Sequence, residues 1–106
     1  MKLAEICRLA HENASAKGFH ETTPRFGQEG QDVRHILSWL MLIVTELAEA
    51  AEAARVGDIA NFGEECADVL IRLADVCAAL GIDLEAEVIK KMTRNAERPH
   101  MHGKLV

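Results

Sequence analysis

The ten residues from His35 to Val44, HILSWLMLIV, would present apolar groups around almost the whole circumference of a helix. A surface helix keeps a polar face, so this run is either central to the fold or packed against another subunit. In a chain of 106 residues, which can bury only a modest core by itself, subunit contact is the favoured expectation. The run continues unbroken into TELAEAAEA, residues 45 to 53, where Glu46 and Glu49 stand three apart and point to the same side of the helix. Like charges so placed repel. The pattern calls for a positive partner.

Periodicity and breakers divide the chain into four helices, a fold class of all-α, four-helix-bundle type in a single domain spanning residues 1–106. Leu3, Ile6, Leu9 and Ala10 repeat at helical spacing until Gly18. The following GFHETTPRFGQEGQD, with three glycines and a proline, reads as a loop of functional length. Asp32 is the expected N-cap of a long helix running to Arg55, and Gly57 its breaker. Asp58 and Asp83 are placed to cap two further helices, ending near Leu80 and Glu97, the latter because Pro99 cannot continue it. The second and third helices form an antiparallel hairpin across the turn at Val56 and Gly57.

The third helix carries its own acidic pair, Glu65 and Asp68, again three apart. At about 1.5 Å per residue the two pairs stand roughly 14 and 15 Å from the turn, at matched height on adjacent antiparallel helices. Acidic pairs are common on solvated helix faces, and either alone would mean little. Two at one height, embedded in Leu47, Ala48, Ala50 and Ala67, Val69, Leu70, point to a hard divalent cation held by Glu46, Glu49, Glu65 and Asp68, with magnesium or manganese favoured over zinc. Arg72, four residues after Asp68 and three before Asp75, is spaced to pair with either; Glu52 and Glu64 fall off the common face.

Glu46-Leu-Ala-Glu49, fifteen intervening residues and Glu65-Cys-Ala-Asp68 resemble the ExxE and ExxD signature of the MazG-like all-α nucleoside triphosphate pyrophosphohydrolases, a group that includes the dimeric dUTPases. Lys17-Gly18-Phe19 near the start and His102-Gly103-Lys104 near the end are similar to the short MazG-like members at both ends. The resemblance implies magnesium-dependent hydrolysis of a (d)NTP to its monophosphate and pyrophosphate, clearance of noncanonical or excess nucleotides, and a homodimer or homotetramer with shared active sites. The four carboxylates would serve as both metal ligands and catalytic residues.

A triphosphate needs more positive charge than a metal alone supplies. Between Lys90 and Lys104 five basic residues face the single acid Glu97. Lys91, Asn95 and Arg98 share one stripe of the fourth helix, which the resemblance turns toward the phosphates with Lys104 joining from the tail; a solvated basic face is the plainer reading. Trp39, seven residues before Glu46, shares its face about 10 Å away and can stack on a base or serve the core; His35 carries the same two readings. His100 and His102 flank Pro99 and Gly103, on irregular chain.

Formal net charge is −5, which argues against a protein that coats nucleic acid. Three cysteines without CxxC spacing argue against a disulfide framework or a zinc knuckle and read as buried thiols in a reducing cytoplasm. No apolar run reaches the 18 or so residues that span a bilayer, and the N-terminus lacks the apolar stretch of a signal peptide. A di-iron or di-manganese carboxylate bundle is a rival, but it needs Glu-x-x-His on helices, and the one instance, Glu97 to His100, contains Pro99. A non-catalytic oligomerisation module is the other.

Overall fold

Three of the four helices end in the same way, and those endings set the topology. The computed structural model describes residues 1–20, 26, 27 and 29–99, with α1 (Leu3–Ala16), α2 (Arg34–Val56), α3 (Ile59–Ala79) and α4 (Leu84–Ala96) and no strand among them. At the end of α1 the Phe19 N–H reaches the Ala14 carbonyl and the Gly18 N–H that of Ser15; α2 closes likewise through Asp58 to Ala53 and Gly57 to Ala54, and α3 through Ile82 to Cys77 and Gly81 to Ala78. This pairing requires a left-handed residue one past the helix, and Gly57 takes it with φ 76°. The next residue is already Asp58, whose carboxylate accepts the Asn61 N–H at 3.1 Å and starts α3. The chain therefore reverses in two residues.

The helix boundaries fall within a residue or two of those expected, except at the start of α2. Val33, not Asp32, is the residue before Arg34, and Asp32 instead accepts the Arg34 backbone N–H at 3.0 Å while pairing with its guanidinium. The carboxylate still satisfies a first-turn donor, so little is lost.

The hairpin α2–α3 is the most extensive packing, with α1 laid against α3 and α4 touching α1 and α3 more lightly. On α2, Ile36, Ile43 and Ala50 are buried at seven-residue spacing, and Trp39, Glu46 and Ala53 follow the same spacing three residues on. That is one narrow seam. Its counterpart on α3 runs through Asn61, Glu65, Val69, Arg72 and Val76. The outer side of α2 is left open: Leu37 is 58% and Met41 62% exposed, with Leu40, Val44 and Leu47 beside them. No side chain of α4 is buried. The radius of gyration, 16.2 Å, exceeds the roughly 13 Å of a compact chain of this length. No described helix is long and apolar enough to cross a membrane.

Cys7 and Cys77 are buried, and burial raises both thiols above their ordinary value. Cys66 is exposed, contrary to expectation, because it follows Glu65 by one position and so turns away from the hairpin seam.

Because Asp58 both follows the left-handed glycine and caps α3, Asp58→Ala should lower stability by about 1 kcal/mol. Urea denaturation of the metal-free protein measures this, and an unchanged midpoint would assign the turn entirely to Gly57.

Candidate carboxylate site

Glu46 stands in the hairpin seam, where a leucine or alanine would serve packing better. Its side chain is only 14% exposed. Glu65 enters the seam from α3 and Glu49 joins one turn along α2, so that one oxygen from each of the three lies within 4.8 Å of the others. Arg72, two turns after Glu65 on α3, donates from Nε to Glu46 Oε1 at 3.2 Å. It pairs across the hairpin with Glu46, not along its own helix as its spacing to Asp68 and Asp75 allowed.

One guanidinium does not neutralise three carboxylates. Glu65 Oε2 is buried and meets no donor among the described residues. With every carboxylate ionised it is an acceptor facing acceptors. A proton on Glu65 converts that clash into a hydrogen bond to Glu46, and this bond, then burial, then a hydrogen bond with Glu49 and the charges of both neighbours, pushes the Glu65 carboxyl from its ordinary 4.5 to about 7. Glu46 moves the other way, held low chiefly by accepting that proton and further by Arg72. The metal-free cluster thus borrows a proton where a cation fits: it has several oxygen donors, excess negative charge and a buried lone pair without a partner.

Asp68 does not join the tight set. Lying three residues past Glu65, it turns toward the α1 side of α3, where it borders a groove of about 400 Å³ with Asn13, Lys17, Phe19, Arg72 and Asp75. It is exposed and makes no ion pair among the described residues. Equal height along the hairpin was a sound guide to three of the four carboxylates. Rotation about α3 separates the fourth.

Trp39 is half-buried, and His20 meets it edge-on with ring centroids 4.8 Å apart. His35 is exposed, 6.5 Å from Trp39. Lys91 and Arg98 are exposed and Asn95 is half-buried with its Oδ1 unpaired; no hydrogen bond or ion pair among the described residues joins any of them to the carboxylates. Lys104, with His100 and His102, lies outside the described residues. Sequence reasoning missed a second cluster, His11, His20 and Asp75, whose members are too far apart in the chain to form a spacing signal.

Residues 17–96 match the family model for phosphoribosyl-ATP pyrophosphohydrolase. Neither the curated proteins nor the solved structures compared with the chain give a match.

The raised Glu65 carboxyl fixes a pH dependence for the metal-free protein. Below about 4.5 the group is protonated in folded and unfolded chains alike; between there and about 7 only the folded chain keeps the proton. Stability should therefore fall as pH rises through that window and then level off. Glu65→Gln, which cannot lose a proton, should flatten the fall in thermal melts run from about pH 5 to about pH 8 in a chelator. An equally steep fall in the variant would place the titration elsewhere.

Proposed function

Because the chain belongs to the phosphoribosyl-ATP pyrophosphohydrolase family, within the MazG-like all-α superfamily, we propose that it hydrolyses the α–β phosphoanhydride of a nucleoside triphosphate to the monophosphate and pyrophosphate, using magnesium or, in its place, manganese. The observation that carries this reading is the convergence of Glu46, Glu49 and Glu65 around a buried oxygen that has no partner among the described residues, where Arg72 is the one cation in contact. Glu46, Glu49 and Glu65 would hold the metal; Asp68, one turn along α3 but turned toward α1, we assign to the catalytic set beside the ion and not to its immediate ligands. Bound there, a divalent cation supplies positive charge to the phosphate oxygens and acidifies a water within its reach.

The chain's own part is positioning. Arg72 fixes one oxygen of Glu46 by a hydrogen bond, which orients that carboxylate and limits the charge the cluster presents. Glu49 is exposed and marks the open side of the site. Lys91, Asn95, Arg98 and Lys104 are assigned to the phosphates, and Trp39 and His35 to the base. Within one chain α4 packs on α1 and α3, whereas the carboxylates lie between α2 and α3. Leu37, Met41 and Val44 leave an apolar stripe open on α2, and we propose that a second copy covers it, giving a homodimer or homotetramer in which the partner would supply the basic stripe to a shared site.

The substrate named by the family, phosphoribosyl-ATP, and the noncanonical or excess (d)NTPs that a house-cleaning enzyme removes share the triphosphate on which the carboxylates act. They differ at the nucleoside end. Ranking phosphoribosyl-ATP against canonical and modified (d)NTPs by kcat/KM decides between them.

Glu49→Gln keeps the side chain's shape and removes a charged ligand, so turnover should fall by at least the roughly 10- to 100-fold that loss of even an outer metal contact brings. Metal-free stability should stay level or rise, since one member of a repelling cluster is neutralised. Turnover at the parental rate, or release of orthophosphate in place of pyrophosphate, rejects the assignment. Light scattering at micromolar concentration should return a multiple of 11.7 kDa. A monomer that is fully active would refute the shared site.

A further inference from the structure

His11 on α1, His20 just beyond its end and Asp75 on α3 aim their donor atoms at one point. Asp75 Oδ1 lies 3.1 Å from His11 Nδ1 and 2.7 Å from His20 Nε2, which also stands 2.8 Å from Oδ2. The end of α1 creates the arrangement: its left-handed Gly18 turns the chain back so that His20 falls over α3. The side chains of His20 and Asp75 are 9% and 15% exposed, and that of His11 is 34%. Two ligands are thus walled off and the third leaves an entrance.

We propose that His11, His20 and Asp75 form a second metal site, selective for a borderline transition ion such as zinc or cobalt(II) and distinct from the carboxylate site. Two imidazoles and one carboxylate are the donor set of open zinc sites and of mononuclear transition-metal centres, whereas magnesium prefers oxygen alone. Ligand atoms about 2.0–2.1 Å from a tetrahedral ion lie roughly 3.3 Å from one another, so the separations of 3.1 and 2.7 Å from Asp75 Oδ1 to His11 and His20 need to open by about 0.2 and 0.6 Å, and all three ligand atoms already lie within 4.8 Å of one another. His20 Nε2, which already faces Asp75, is the ligating nitrogen; Nδ1, buried without a partner among the described residues, would carry the ring proton once Nε2 binds metal. Arg72 borders the same cleft, but its guanidinium is engaged by Glu46. Metal binding requires the ligating nitrogen of each imidazole to be free of its proton, which a neutral ring carries on its other nitrogen, and involves no change in oxidation state.

The protein carries one tryptophan, and Trp39 packs edge-on against His20, so a paramagnetic ion at this site lies close enough to quench its fluorescence. Cobalt(II) should be titrated into the metal-free protein with millimolar magnesium occupying the carboxylates, following Trp39 emission and visible absorption together. The expected result is one saturable equivalent that quenches Trp39, develops ligand-field bands and is displaced by zinc. His11→Asn, on the most exposed ligand, and Asp75→Asn should each weaken this binding at least about tenfold, while Glu49→Gln leaves it intact. Circular dichroism confirms that the variants remain helical, and the His11 variant alone suffices if the Asp75 variant does not fold. No saturable binding by the parent, equal binding by folded His11→Asn, or binding lost in Glu49→Gln would each overturn the second site. None of these outcomes depends on whether the chain hydrolyses nucleotides.

Discussion

The pairing of Arg72 with Glu46 inside the helical hairpin is the contact on which the rest of this protein turns. A carboxylate in a packing seam is costly unless charge is returned to it, and the seam returns only part. Arg72 answers Glu46, a shared proton answers Glu65, and Glu49 is left to solvent. The hairpin closes around an excess of negative charge, and on that excess the proposed cation site rests.

The same α3 helix serves two clefts because it is packed on two sides. Toward α2 it presents Glu65 and Arg72, and toward α1 Asp68 and Asp75, each pair related by seven residues. Arg72 borders both clefts, reaching Glu46 on one side and lining the pocket of Trp39, His20 and Asp75 on the other. A hard oxygen cluster and a mixed nitrogen–oxygen cluster therefore stand as neighbours on one helix. Their chemistry differs because the partners that α1 and α2 bring to it differ.

The open faces share one physical cause. A core made of Ile36, Ile43, Val76 and small residues such as Ala50, Ala53 and Ala74 draws helices close without burying much surface. The larger apolar side chains of α2 remain outside, and α4 contributes no buried residue. That uncovered apolar surface is what the proposed homo-oligomer would bury.

The helices, the caps of α3 and α4 and the hairpin were legible in the sequence, since glycine at a left-handed position and aspartate directly before a helix act locally; the cap of α2 was not, because Val33 and not Asp32 precedes it. So was the meeting of Glu46, Glu49 and Glu65, because rise per residue fixes height along a two-residue hairpin. A further signal went unread: the seven-residue recurrence of Ile36, Ile43 and Ala50, and of Trp39 and Glu46, marks the seam and puts Glu46 in it. Rotation about the helix axis, which turned Asp68 toward α1 and Arg72 toward Glu46, was set by how three helices share one. The joining of His11, His20 and Asp75 was likewise beyond local reading, as it depends on where a turn delivers one side chain against a helix more than fifty residues away. Sequence spacing determines height and periodicity, which are properties of single helices; the facing of side chains belongs to their packing, and only the tertiary structure decides it.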